Sequence, residues 1–307
     1  MAAAALRRST QVSYANQHKN WFAICERIGL DITRPIPERE LCAACIVFSL
    51  NHKLTTLPVF VAAVNAWHID VFGSALPRNY LFGRVRAGLA NIFASTNLTE
   101  AKIGLELGQL ASMHALIKRN SFSAQRDWCM AVFAFFGLLR ISEYTGGSLQ
   151  QRDVTATNDS VSLWLPFHKT SSTPVKIEIS KRSDHLCPVR AYRQYCSLLG
   201  SIRLEPTSPF FVQSPLSRHP VSDQSFIASF RLQLAAIGIP NLSDYAGHSF
   251  RRGGFSAMCA AGVPFAIAQS HGRWKSLSYQ RYIDTVHSSK LRLLATVLLG
   301  ERTAVRN

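Results

Sequence analysis

The sequence predicts a mainly α-helical protein of two domains, with one small β-sheet in the second. The chain has 307 residues, which is long for one domain and sufficient for two. Hydrophobic residues make up 47% of it and charged residues 17%, values that exclude a wholly disordered chain. Apolar residues recur at helical three- and four-residue steps over most of the length and alternate only in one short stretch.

Four helices are predicted in the first hundred residues, and no strand pattern interrupts them. Gly29 and Gly73 end the first and the third, and Pro37 begins the second, because proline fits the first helical turn. The polar stretch 94–100 then breaks the apolar rhythm. We therefore expect a helical domain at 1–97 and a second domain at 98–307. The four helices of the first domain are expected at 13–28, from Pro37 onward, at 57–72 and at 79–93.

The second domain is predicted to be helical around a β-hairpin. Apolar residues alternate at 161–167 and at 175–179, which is typical of two strands, and the polar residues between them would form the loop. Pro188 begins the helix that follows. Other helices are expected from Asn97 or Thr99 through Leu110 and at 123–139, 222–237, 248–261, 264–271, 276–286 and 289–299.

The charge of the chain favours a polyanionic partner. Lys and Arg number 34 against 18 Asp and Glu, so the net charge is +16. Residues 248–307 alone contain nine Lys or Arg and two Asp or Glu, which suits a surface that follows phosphates. The alternative is a generally basic protein with no such partner.

The cysteines indicate a protein of a reducing compartment, and the apolar runs are too short for a membrane span. Seven cysteines are an odd number for a disulfide framework. Cys42 and Cys45 have redox or zinc spacing, but no second ligand pair lies near, so buried thiols are the simpler interpretation. The longest apolar runs, at 129–139 and 42–50, are shorter than the roughly 18–20 residues that a bilayer requires, and no membrane partner is expected.

Two clusters early in the second domain contain residue types suited to phosphate chemistry. Arg140 follows an apolar run and would leave the core at a fixed point, with Glu143 within helical reach. Lys169 lies in the hairpin loop, where its compact charge and transferable proton suit an acid. The alternatives are an exposed ion pair that closes a helix and a solvated loop lysine.

Two further clusters lie towards the end of the chain. His248 and Arg251 are three residues apart, so on a helix they would share a face, and the glycine pair 253–254 would allow close backbone packing. A helix cap is the alternative to a phosphate-binding face. Residues 271–283 are basic and aromatic, which suits contacts to phosphate and sugar. Tyr282 there is a nucleophile that fits cleavage of a phosphodiester without a metal, although most helical tyrosines only pack.

Together and in this order, the motifs resemble the tyrosine recombinase (phage integrase) family. They are Gly-Leu-Leu-Arg-Ile-Ser-Glu at 137–143, His-Lys-Thr at 168–170, Gly-His-Ser-Phe-Arg-Arg-Gly-Gly at 247–254 and Tyr-Ile at 282–283. Gly-Arg-Trp-Lys-Ser at 272–276 is similar to recombinases of eukaryotic mobile elements, crypton-like or DIRS-like. The resemblance implies a four-helix, SAM-like core-binding domain that clamps DNA, followed by a mixed α+β catalytic domain with a small β-sheet.

The resemblance also implies a role for each residue. Arg140 and Arg251 would grip the non-bridging oxygens of the scissile phosphate, with Glu143 as their acidic support. Lys169 would protonate the leaving 5′-oxygen, and His248 would assist proton transfer at the nucleophile. Tyr282 would form a 3′-phosphotyrosyl bond, and further contacts to the DNA are expected from Arg252, Lys275 and Arg281.

One site position departs from the family pattern. The family has a His or Trp nine residues before the nucleophile, and that spacing here lands on Arg273. Trp274 is one residue closer to Tyr282, and His271 is two residues farther away. A shift of one residue would place Trp274 in the sixth site position, which we favour, with Arg273 or His271 as the alternatives.

We therefore expect a site-specific recombinase or integrase of a mobile element. Guanidinium groups aimed at the phosphate would supply preorganised donors, each typically worth ~2.7–4 kcal/mol, and no cofactor or metal is expected. The partners would be double-stranded DNA and a homo-tetramer on paired sites, with helix 289–299 docked in trans. Localisation would be nuclear in a eukaryote and cytoplasmic otherwise. The alternatives are a type IB topoisomerase-like relaxing enzyme and a catalytically silent DNA-binding protein.

Overall fold

The computed structural model describes residues 8–93, 103–166, 174–200 and 205–274. The chain divides into two compact units, 1–99 and 100–307. The domain boundary expected between 97 and 98 lies outside the described residues, as do the tip of the hairpin and the helices expected at 276–286 and 289–299.

The described part of the first unit consists of helices, as expected. They are α1 (Arg8–Ile28), α2 (Glu38–Asn51), α3 (Leu57–Phe72) and α4 (Tyr80–Ile92), with a 3-10 turn at Leu54–Thr56. Pro37 caps α2 from outside rather than lying within its first turn, and Gly73 ends α3 in the left-handed region at φ 69°. The termination of α3 therefore follows from the one residue type that adopts this conformation without strain.

The core of the first unit is aromatic and contains thiols. Trp21, Phe48 and Phe60 are buried there together with Cys42 and Cys45. Both cysteines are free, and burial raises the pKa of the Cys45 thiol to about 12. The Cys-x-x-Cys pair thus packs as two small apolar side chains, the simpler of the two interpretations.

One helical stretch among the described residues, Leu54–Phe72, is long and apolar enough to cross a membrane by length and composition. The core helix of a soluble protein passes the same test. Leu57, Phe60, Val61 and Val64 of this stretch are buried in the core of the first unit.

The second unit combines helices with one antiparallel sheet, and the fold class predicted from the sequence is confirmed. Strands β1 (Val154–Ala156), β2 (Ser160–Leu165) and β3 (Val175–Ser180) pair in that order, with Val161 opposite Ile179. Strand β1 was not predicted. The helices in the described residues are α5 (Leu107–Ala115), α6 (Phe122–Phe136), α7 (Ile141–Tyr144), α8 (Pro188–Leu199), α9 (Asp223–Ala236), α10 (Gly247–Ala260) and α11 (Phe265–His271).

The position of α5 differs from the expected one. A start at Asn97 or Thr99 is wrong, because residues 103–106 are not helical and α5 begins only at Leu107. Glu106 caps it, and the side chain of Gln109 accepts a hydrogen bond from the Glu106 backbone N–H. A capping box built from Glu and Gln therefore determines the start, rather than the polar stretch upstream.

Helix α6 is the central element of the second unit. The side chains from Gln125 to Phe135 are all buried, so the helix is enclosed on every face. Two glycines of helix α10 allow close backbone packing, Gly254 against α6 and Gly253 against the segment before α5. A Cβ on Gly254 would lie 2.0 Å from the Phe135 carbonyl oxygen, and one on Gly253 would lie 1.8 Å from that of Leu105. The expected close backbone packing is confirmed, and it brings Arg251 to the C-terminal end of α6.

Candidate active site

Arg140 and Glu143 form the first part of the site, at the short helix α7. Arg140 is its N-cap, and its backbone N–H donates to Glu143 Oε2 at 2.8 Å. Its Nη1 donates to Glu143 Oε1, also at 2.8 Å. The side chains are 14% and 4% exposed. The predicted i,i+3 pair exists, but it is not the exposed pair considered as the alternative.

Arg273 reaches the same carboxylate from the end of α11. Its Nη2 lies 2.6 Å from Glu143 Oε2, and its side chain is 6% exposed. The guanidinium also lies 3.5 Å from the Gly137 carbonyl oxygen and 3.3 Å from that of Leu138. One buried carboxylate is therefore shared by two arginines that are 133 positions apart in the chain.

Arg251 occupies the centre of this arrangement and is completely buried. Its two terminal nitrogens donate to the carbonyl oxygens of Leu138 and Gly272. Its guanidinium carbon lies 4.1 Å from the centre of a Trp274 ring, which in turn packs edge-on against Phe255. Arg251 thus joins the C-terminal ends of α6 and α11, where carbonyls left without helical partners and the negative helix dipoles favour a cation.

Helices α6 and α11 end in the same way. In each, a glycine caps the helix, and the next residue has a positive φ: 46° at Leu138 and 59° at Arg273. The backbone N–H of Leu139 then bonds to Ala134 and that of Trp274 to Gln269, the pattern of a Schellman motif.

The left-handed position in this motif usually holds glycine, because a side chain there costs roughly 1–2 kcal/mol. Here the glycine lies one residue earlier for reasons of space. A Cβ on Gly137 would lie 2.7 Å from the Phe133 carbonyl oxygen, and one on Gly272 would lie 1.7 Å from the Trp274 ring. The described chain has three non-glycine residues with positive φ. Two of them, Leu138 and Arg273, are in contact at this site.

The electrostatics of the cluster are dominated by positive charge. Three guanidinium groups, those of Arg140, Arg251 and Arg273, are linked through one carboxylate and the Leu138 carbonyl. Burial lowers the pKa of Arg273, as does the neighbouring Arg140, whereas Glu143 raises it. Since arginine remains protonated at neutral pH, an excess of positive charge is enclosed here.

The other predicted residues that the structure describes lie around this cluster. His248 is exposed in the first turn of α10, whereas Arg251, one turn later, is fully buried. The two residues share the helix but not one environment. Arg252 is half-buried. The Nε2 atom of His271 lies 2.8 Å from the Phe136 carbonyl oxygen, one residue before the Gly137 cap.

Four of the predicted residues fall outside the described residues: Lys169, Lys275, Arg281 and Tyr282. For the sixth position, the structure places Trp274 on Arg251, Arg273 on Glu143, and His271 on the backbone of α6. Trp274 and Arg273 therefore contact the cluster directly, whereas His271 contacts the backbone at the end of α6 beside it.

The sequence prediction missed the two carbonyl groups that organise the arginines, those of Leu138 and Gly272. A signal existed, because Phe-Gly-Leu-Leu at 136–139 and His-Gly-Arg-Trp at 271–274 share a glycine followed by two larger residues. Gly137 and Gly272 indicate helix ends, but the sequence does not show that the two ends face each other.

A cleft of about 570 Å³ opens beside the cluster, between β3 and α11. Arg273 and His271 line one side, and Lys176 and Glu178 of β3 line the other. The cleft therefore lies beside β3, the second strand of the predicted hairpin.

Solved structures of DNA recombinases share this fold. The XerH site-specific recombinase bound to palindromic difH substrate, a post-cleavage complex, matches with a TM-score of 0.66 and 12% identity, over 95% of this chain and 80% of that one. The Tn1549 transposon integrase in complex with transposon right end DNA matches with a TM-score of 0.60 and 12% identity, over 95% of each chain.

Lambda integrase bound to DNA also matches, with a TM-score of 0.58 and 15% identity, over 92% of this chain and 91% of that one. No family model matches the sequence, and no curated protein matches it. The chain therefore has the fold of the tyrosine recombinases and integrases, as the motifs predicted, at identities that establish the fold alone.

Proposed function

We propose that this protein is a site-specific DNA recombinase or integrase that breaks and rejoins DNA through a 3′-phosphotyrosine intermediate. One observation carries the proposal: Arg140, Arg251 and Arg273, from three separate segments of the chain, meet at one point of a fold shared with DNA recombinases. Chance motifs in an unrelated protein would not be expected to converge in this way.

The chemistry suits a phosphodiester. Attack on a phosphate meets an anion and gathers further negative charge in the transition state, so preorganised cationic donors lower the barrier. Arg140 is positioned for such a role. Within the described part of the chain, its Nη1 bonds to Glu143, and no hydrogen bond from its Nε or Nη2 is found.

The proposed nucleophile is Tyr282, and the proposed general acid is Lys169. Tyrosine has an ordinary pKa of about 10, so a strongly positive site would help it to ionise. His248, exposed at the start of α10, would assist the proton transfer. A covalent bond to the 3′-phosphate would conserve the phosphodiester energy, so rejoining would need no further energy source.

Assembly and location follow from the same proposal. Double-stranded DNA would be the substrate, bound on a chain of net charge +16. Four copies would act on paired sites, with helix 289–299 docked on a neighbouring copy. In a eukaryote the protein would work in the nucleus, and otherwise on DNA in the cytoplasm.

The direct test is capture of the covalent intermediate. The protein would be incubated with nicked duplexes cut from the DNA that flanks its gene, with a bridging phosphorothiolate at candidate cleavage positions to prevent rejoining. We expect a denaturation-resistant protein–DNA adduct that is lost in Tyr282→Phe. An undiminished adduct in that variant, or one that peptide mapping places on Tyr279, would refute the assignment.

One observation favours a second candidate, a DNA-binding protein that has lost catalysis. Arg251 is fully buried, and its two terminal nitrogens are bonded to backbone carbonyls, so its side chain serves the structure even without a substrate. Such a protein would bind DNA equally well with Tyr282 or with phenylalanine there. It would form no adduct on any flanking duplex.

A further inference from the structure

Arg273 is not the residue type that the family resemblance implies for the sixth site position, which is His or Trp. It occupies the spacing of the sixth site position, but Trp274 is the residue that packs on Arg251. Arg273 instead turns away in a left-handed conformation, with φ at 59°, and contacts Glu143 and the end of α6. A strained residue held at a site points to a role for its side chain.

The donors of Arg273 face inward. Its terminal nitrogens lie against Gly137, Leu138 and Glu143, and its Nε is buried without a hydrogen-bond partner. At 6% exposure it offers little surface to a substrate, whereas Arg140, at 14%, is more open. Arg273 is therefore a poor candidate for direct contact with a phosphate.

Glu143 connects the two arginines. Its Oε2 accepts from the Arg140 backbone and from Arg273, while its Oε1 accepts from the Arg140 side chain. If Arg140 were its sole partner, the carboxylate would cancel the charge of that arginine. Since Arg273 shares the carboxylate, the trio keeps a net charge of about +1, and the more exposed member of the trio is Arg140.

We propose that Arg273 is a positioning residue that acts through Glu143: it fixes the guanidinium of Arg140 and preserves its positive charge for the scissile phosphate. This inference rests on the proposed function for its consequence in catalysis. The contact that it invokes, from Arg273 through Glu143 to Arg140, is a property of the folded chain and can be measured without any reaction.

The first measurement needs no activity. In protein labelled with ¹⁵N-arginine, the Nε–H signal of Arg140 is assigned by its loss in Arg140→Lys. We expect Arg273→Met and Glu143→Gln to move this signal, whereas Arg218→Met, which removes an exposed arginine of the same unit, leaves it in place. An unmoved signal in Arg273→Met, in protein that circular dichroism shows to be folded, would overturn the proposal whether or not the chain cleaves DNA.

The second measurement uses the adduct. At saturating nicked duplex, Arg273→Met should form adduct roughly 10–100-fold more slowly, the loss found when a group that orients another is removed. The dissociation constant for DNA should change no more than it does in Arg218→Met. Arg273→Lys keeps the positive charge but lacks the planar guanidinium group with its several N–H donors, so it should recover part of the rate of adduct formation.

A double variant of Arg273 and Glu143 shows whether Arg273 acts through Glu143 or independently of it. If Arg273 acts through Glu143, the combination of Arg273→Met with Glu143→Gln should be no slower than the slower single variant, to within about threefold. Multiplied effects would show that Arg273 acts independently and would overturn the proposal. Absence of adduct from the unsubstituted protein would instead contradict the proposed function, and the arginine signal would then decide on the positioning role alone.

Discussion

The two ends of helix α6 each contain buried charged side chains. They differ in whether each positive charge has a negative charge to balance it. At its N-terminal end, Arg126 binds Asp127 through Nε and Nη2 and the carbonyls of Val212 and Gln213 through Nη1. Asp127 also accepts from the Ser229 hydroxyl at 2.5 Å. One cation meets one anion there, and their polar atoms are bonded.

The C-terminal end of α6 is unbalanced. Arg140 and Arg273 share a single carboxylate, Arg251 binds the neighbouring Leu138 carbonyl, and Leu138 and Arg273 adopt left-handed conformations. Buried charge without matching anions destabilises a fold unless an anion arrives. Burial alone therefore does not distinguish the two ends of α6; the excess of positive charge, with left-handed residues next to it, distinguishes the end that we propose as the site.

The largest effect is expected at the balanced end. Asp127→Ala leaves Arg126 buried without its counter-charge and removes the partner of Ser229. We expect a loss of about 3–5 kcal/mol in the free energy of unfolding, measured by urea titration. The loss should be the same in phosphate and in chloride buffers, because the Arg126 side chain is buried and an added anion cannot replace the carboxylate. A loss below about 1 kcal/mol would show that the Arg126–Asp127 pair does not stabilise the fold as a balanced buried pair should.

A smaller effect is expected at the unbalanced end. Glu143→Gln removes the charge shared by Arg140 and Arg273 but keeps a side chain of the same shape with one oxygen that accepts hydrogen bonds, and Arg140 is partly open to solvent, so we expect a loss of about 1–3 kcal/mol. Inorganic phosphate should restore part of it at constant ionic strength, since an anion bound only by the folded state stabilises that state. Equal stability of Glu143→Gln in phosphate and in chloride would contradict the idea of an anion-binding end.

The smallest effect concerns pH near the N-terminal end of α6. His114 packs against Trp128 and His185, with ring centroids 5.1 Å and 4.8 Å apart, and burial lowers its pKa, helped by His185, Arg190 and Arg119. The unfolded chain therefore takes up the proton first as the pH falls below about 6.5. The stability that His114 contributes is present above that pH and is lost as the pH falls towards its folded pKa.

Urea midpoints at pH 7.5 and 5.5 measure this loss. His114→Gln should reduce the difference between the two midpoints. His219→Gln, at an exposed loop position, serves as the matched control and should leave the difference as it is. An equal response of both variants would show that the histidine pair near α6 does not contribute to acid sensitivity.

Local patterns predicted much of the molecule because local physics determines them. Helix α3 has the predicted bounds, since its apolar spacing and Gly73 act within a few residues. The two long strands follow from alternation, whereas the three-residue β1 was too short to show it. The close approach at Gly253 and Gly254 was also visible, because only a missing side chain allows it.

The sequence by itself therefore determined the element types, the second-unit motifs and the excess of positive charge, all of which depend on composition and short-range spacing. Only the tertiary structure decided that Arg251 is buried between two helix ends and that Arg273 shares the carboxylate of Glu143. These outcomes depend on which distant carbonyls and charges come within 3–4 Å, and hydrogen bonds and ion pairs are strong only at that range.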